Sequence, residues 1–78
     1  MTAQLTFYST SACHLCELAE QMLALFEQQG VCSIDKVDIA NSDVLLERYG
    51  IRIPVVRNSQ GEELGWPFSP EQVLQLMA

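Results

Sequence analysis

Two of the chain's three cysteines, Cys13 and Cys16, stand three apart in "STSACHLCEL", with the only histidine, His14, between them. Cysteine attacks as a thiolate, and an ordinary thiol with a pKa of about 8.5 is mostly protonated at neutral pH. A helix N-terminus counters this, because its unpaired amides and aligned peptide dipoles favour negative charge. The run "LTFY" before the motif reads as a strand and the sequence after it as a helix, so Cys13 falls at such a terminus. Cys16 lies one turn further along the same face, within reach for a disulfide but deeper. That asymmetry suits Cys13 as the nucleophile and Cys16 as the resolving thiol. His14, when protonated, favours the Cys13 thiolate or carries a proton near neutral pH, while Glu17 disfavours charge on Cys16. Two blander uses of the pair stay open: small hydrophobes in a core, or metal ligands. Zinc asks for four ligands in paired groups, and Cys32 has no second cysteine or histidine near it in sequence, so no metal site within one chain is expected. Cys32, after Gly30-Val31 at a strand start, reads as structural.

The elements that must position these residues follow from periodicity. Residues 4–8 form a strand, and residues 13–29 form an amphipathic helix with Leu15, Leu18, Ala19, Met22, Leu23, Leu25 and Phe26 at helical spacing, stopped by Gly30. A second strand covers 32–39, and a short helix follows, capped by Asn41 or Ser42 and ended by Gly50. Residues 51–57 read as a third strand interrupted near its start by Pro54, and "NSQG" as a tight turn into a fourth strand at 62–64. Ser69 and Gln72 form a capping box, Pro70 occupies the first helical position, and Phe68 with Val73 has the spacing of a hydrophobic staple, which starts the last helix. The order β-α-β-α-β-β-α predicts an α/β domain over 1–78, a four-stranded mixed sheet flanked by helices on both faces. Its first two strands are parallel and its last two form a hairpin.

Composition bounds the function. A 78-residue chain that is 49% hydrophobic supports one packed domain and argues against disorder. Four Lys plus Arg against ten Asp plus Glu, net charge −6, repels nucleic acid and anionic lipid, so neither is an expected partner. No apolar stretch reaches the roughly 18 residues of a membrane span, and strand-like sequence starts almost at once, which leads us to expect a cytoplasmic protein. In a reducing compartment an odd number of cysteines points to chemistry rather than to structural staples.

A strand, then C-x-x-C opening a helix, then "RIPVV" in the third strand resembles the thioredoxin superfamily, and the whole chain is similar to the minimal, glutaredoxin-like form of it. The resemblance implies a thioredoxin-like fold and a thiol-disulfide oxidoreductase that acts through Cys13 and Cys16 on a disulfide-containing protein or on glutathione. It implies a cis bond before Pro54 beside the nucleophile, with the Ile53 backbone hydrogen-bonding an extended thiol substrate. The chain departs from glutaredoxins in carrying His14-Leu15 between the cysteines, no basic residue before Lys36, and "LGWPFS" in place of a Gly-Gly-Asp-type loop. Arg52 is then the best-placed cation for a glutathione carboxylate, with Arg48 and Arg57 as further candidates, and Gly65 and Trp66 are the remaining substrate-binding candidates. No resident cofactor is expected, glutathione being a co-substrate, and the chain is expected to act as a monomer. Two competing functions are a binding module that keeps the fold without general redox activity, and a subunit-bridging metal or iron-sulfur site using Cys13.

Overall fold

The computed structural model describes residues 3–77. The first strand, β1 (Ala3–Ser9), alternates in the way a two-sided strand must: Leu5 and Phe7 are buried on one face and Tyr8 on the other. Helix α1 (His14–Gln28) follows and buries Cys16, Ala19 and Leu23. Cys13 is its cap, with extended backbone. Gly30 ends the helix at a φ of 77°, the left-handed position that glycine adopts without steric cost. The Gly30 amide donates to the Glu27 carbonyl at 3.0 Å and the Val31 amide to the Phe26 carbonyl at 3.4 Å, so two carbonyls of the last turn are satisfied.

Strand β2 (Cys32–Asp38) stops one residue earlier than its pattern suggests. The Asp38 carboxylate accepts from the Ala40 amide at 2.9 Å and turns Ile39–Asn41 into a 3-10 turn that the sequence reading did not include. Of the two candidate caps for α2 (Asp43–Tyr49), Ser42 serves, accepting from the Leu45 amide at 3.3 Å. The predicted third strand loses its first half. The Arg52 and Ile53 amides both donate to the Tyr49 carbonyl, at 2.8 and 3.0 Å, and Pro54 has no amide to offer, so ladder pairing begins only at β3 (Val55–Asn58). The hairpin partner β4 (Glu63–Gly65) and helix α3 (Pro70–Met77) complete the chain. Both bonds of the capping box form: Gln72 amide to Ser69 Oγ at 3.2 Å, and Ser69 amide to Gln72 Oε1 at 2.8 Å.

The strand order is β2-β1-β3-β4, with β1 parallel to β2 and antiparallel to β3, and β3 antiparallel to β4. Adjacent residues of β3 serve opposite faces. Val56 joins Leu5, Phe7, Cys16, Ala19, Leu23, Val73 and Leu76 under α1 and α3, whereas Val55 joins Tyr8, Ile39 and Tyr49 under α2. The outer strand β2 is tied to α1 by Lys36 with Glu20 at 3.0 Å, and by the Ile34 amide, which donates to the Glu27 carboxylate at 3.0 Å. Among the described residues no helix is long and apolar enough to cross a membrane.

Candidate active site

Three chain segments converge at one end of the sheet. Tyr8 pairs with Val55 and Val55 with Gly65, so the end of β1, the start of β3 and the end of β4 lie side by side. The residues beyond these ends are the 10–13 connection with Cys13, the 50–54 loop with Ile53 and Pro54, and the segment after Gly65 with Trp66. Fold register thus brings together groups that are some forty residues apart in the chain.

Cys13 and Cys16 form a disulfide with Cα atoms 5.2 Å apart. Cys16 is buried and Cys13 half-buried. The Cys16 amide points at Cys13 Sγ, 3.1 Å away, so the cap position places a donor on the outer sulfur. In the reduced state such a donor at a helix N-terminus stabilises the thiolate more than the thiol. His14 turns to solvent, its side chain 80% exposed, with Nδ1 3.6 Å from the Glu17 carboxylate; an exposed pair of this kind contributes little to stability.

Ile53, Trp66 and Cys13 all pack against the apolar core under α1 and α3, and Ile53 touches the second core as well. Pro54 is fully buried, and the Ile53–Pro54 bond is cis, as the resemblance implies. Trp66–Pro67 is also cis. The Trp66 amide donates to the Pro54 carbonyl at 3.1 Å, and its ring meets Phe68 edge to face at 5.1 Å. Gly65 is exposed, with open space where a Cβ would stand, so packing alone does not demand glycine there. The Ile53 amide is committed to Tyr49, which leaves its carbonyl as the backbone group available to a substrate.

Arg52 goes elsewhere. Its guanidinium bonds Glu63 at 3.2 Å and sits 5.5 Å from the centre of the Tyr49 ring, within the cluster on the α2 face. There Tyr8 and Tyr49 stack with centroids 4.3 Å apart, and the Tyr49 hydroxyl donates to the Glu63 carboxylate. Burial, and then the bond to Glu63, push the Tyr49 phenol up to about 12. The same bond is the main force holding the Glu63 carboxyl below its usual range, against the opposing effect of burial. The sequence reading missed this cluster. Its signals were Arg52 three residues after Tyr49 and Glu63 across the hairpin from Arg57, and the second becomes visible only once the hairpin register is known. Cys32 is buried, and its thiol is pushed up first by that burial and then by Glu27, as befits an unreactive core thiol. Among the described residues, no three His, Cys, Asp or Glu side chains converge as metal ligands would.

The β-α-β unit, the hairpin and the closing helix, with a cysteine pair at the start of α1, make this a thioredoxin-fold domain. Thioredoxin 1 from Thermosipho africanus superposes with a TM-score of 0.69 over 94% of this chain and 88% of its own, at 12% identity. The chain belongs to the family described as Glutaredoxin-like domain (DUF836), whose sequence model matches residues 4–78. Target protein XcR50 from X. campestris, solved by X-ray diffraction, is 36% identical over 88% of each chain, with a TM-score of 0.77. Protein Ne2328 from Nitrosomonas europaea, solved by NMR, has a TM-score of 0.83 over 100% of this chain and 94% of its own, at 20% identity. No curated protein matches the chain.

Proposed function

We propose that the chain is a thiol-disulfide oxidoreductase in which Cys13 attacks and Cys16 resolves. The observation that carries this is the position of the pair: a bonded dithiol whose outer sulfur receives an amide at the start of α1 while the inner one is buried. In the reduced protein the Cys13 thiolate attacks one sulfur of a substrate disulfide. A Cys13-substrate mixed disulfide forms, the substrate bond breaks, and the departing thiolate takes a proton from water. Cys16, losing its proton, then attacks Cys13 Sγ and releases the second substrate thiol. Two electrons pass to the substrate and the protein is left in the disulfide form described above. A dithiol, or two equivalents of a thiol such as glutathione, returns it to the reduced state. Such a cycle fits a reducing compartment such as the cytoplasm.

Ile53 and Trp66, backed by the buried Pro54, shape the wall against which the substrate lies, and the Ile53 carbonyl accepts from its backbone. His14, mostly in water, tunes Cys13 only weakly, because charge there is screened. The test is alkylation of the reduced protein across pH, combined with trapping by Cys16→Ser. The expected results are a Cys13 pKa at least one unit below the ordinary value of about 8.5, and a stable Cys13 mixed disulfide in the variant. An ordinary Cys13 pKa, together with no reversible disulfide in a thiol redox buffer, would sink the proposal.

A further inference from the structure

We infer that the natural substrate is a polypeptide disulfide flanked by apolar residues, and that glutathione disulfide is a poor one. The inference rests on the redox reading above and concerns only what docks beside the dithiol. Glutathione presents a carboxylate at each end, and holding it takes cations or unused amides. Of the chain's four cations, Lys36 pairs with Glu20 and Arg52 with Glu63. Arg48 and Arg57 line a depression of about 160 Å³ beside Tyr49, Gly61 and Glu63, in the cluster on the α2 face. The charged neighbour of the cysteines in the first turn of α1 is Glu17, and the whole chain is at net charge −6, so an anionic disulfide meets repulsion as it approaches.

Several amides that border the site are spent: those of Arg52 and Ile53 go to the Tyr49 carbonyl, that of Trp66 to the Pro54 carbonyl, and that of Cys16 to Cys13 Sγ, which leaves the His14 and Leu15 amides at the start of α1. The segments around the site also carry exposed apolar side chains. Ile51 is 101% exposed, two residues before Ile53, and Leu15, between the two cysteines, is 47% exposed. Scattered apolar residues on a surface need no explanation. Leu15 stands in the first turn of α1 beside Cys13, and Ile51 in the 50–54 loop at the same end of the sheet, where Ile53 and Trp66 are half-buried. A polypeptide crossing the site receives one main-chain hydrogen bond, at the Ile53 carbonyl, instead of a ladder pair. Its affinity must then come from apolar side chains set against Ile51 and Leu15, a contact that a short anionic tripeptide cannot supply.

The test mixes reduced, desalted protein with four disulfides and follows the loss of Cys13 and Cys16 thiols. They are a disulfide-linked peptide flanked by Leu and Val, the same peptide flanked by Glu, glutathione disulfide, and neutral bis(2-hydroxyethyl) disulfide. Burying part of a Leu-sized side chain corresponds to about ten-fold in rate, so the apolar peptide should react at least that much faster than glutathione disulfide or the Glu peptide. The gap to the Glu peptide should narrow between about 0.01 M and about 0.15 M salt, as the screening length falls from about 30 Å to about 8 Å. Ile51→Ser should lower the ratio of the apolar-peptide rate to the bis(2-hydroxyethyl) disulfide rate about five-fold. Glutathione disulfide reacting as fast as the apolar peptide, or a ratio that Ile51→Ser leaves unchanged, overturns the inference while the redox function stands. If none of the four oxidises the pair, the redox function falls and takes the inference with it.

Discussion

Tyr49 is 1% exposed, yet it carries a hydroxyl, and the fold answers that cost with the Glu63 carboxylate. Because the phenol is pushed from 10.0 up to about 12, the folded chain holds a proton that the unfolded chain has lost between those values. The contribution to stability is therefore full below pH 10 and is lost as pH rises toward about 12. Glu63 has the opposite sign: its carboxyl is held below 4.5, so its contribution is present above that value and fades as pH falls through the depressed one. Tyr49→Phe should cost about 1 to 2 kcal/mol at neutral pH. It should also flatten the loss of stability between pH 10 and about 12, and urea unfolding across pH measures both effects. At this same scale the dithiol and Pro54 were legible in the sequence, because residue type and spacing alone announce them. The true partner of Arg52 was not, since Glu63 is eleven residues away and meets it only through the hairpin.

One side chain reinforces the β3-β4 hairpin beside its ladder. Asn58 is 7% exposed; its Oδ1 accepts from the Gln60 and Glu62 amides at 3.0 and 2.9 Å, and its Nδ2 donates to the Leu76 carbonyl at 2.9 Å. It therefore fastens the turn to α3. Asn58→Ala leaves the buried Leu76 carbonyl and the Gln60 and Glu62 amides without these partners and should destabilise the fold by about 2 to 3 kcal/mol. Hydrogen exchange should show the loosening first at the turn and the end of α3. The turn's presence was readable in "NSQG", but the reach of Asn58 to α3 was not, because it spans eighteen residues of sequence. The same division runs through the other elements. Gly30 and the Ser69-Gln72 box act within a few residues and were legible. The 3-10 turn at Ile39–Asn41 and the late start of β3 depend on side-chain and carbonyl acceptors that periodicity does not register.

Across the whole molecule the sheet separates two cores, and the Cys13-Cys16 pair belongs to one of them. Val55 and Val56 are both 0% exposed and adjacent in sequence, yet face opposite sides. Each substitution by alanine should cost about 2 kcal/mol through lost transfer energy and an unfilled cavity. Val55→Ala should weaken the Tyr8-Tyr49 side and leave the Cys13 alkylation rate within about two-fold of the parent, since its side chain faces the core that holds neither Cys13 nor Cys16. Val56→Ala, on the face that carries Cys16, should change that rate more. Urea unfolding and alkylation kinetics on the two variants check this. The two-faced architecture was legible from element order, because a β-α-β unit must place its crossover helix over one face and a further helix is needed for the other. The assignment of Tyr49 and Arg52 to the far face was not, because it depends on how α2 is turned.

The bond from the Ile34 amide to the Glu27 carboxylate has a meaning beyond the tie between α1 and β2. β2 borders the sheet, and a bordering strand offers its unpaired amides as a template for any other extended chain. By closing one of those amides with a charged side chain from its own helix, the domain discourages strand capture at its margin.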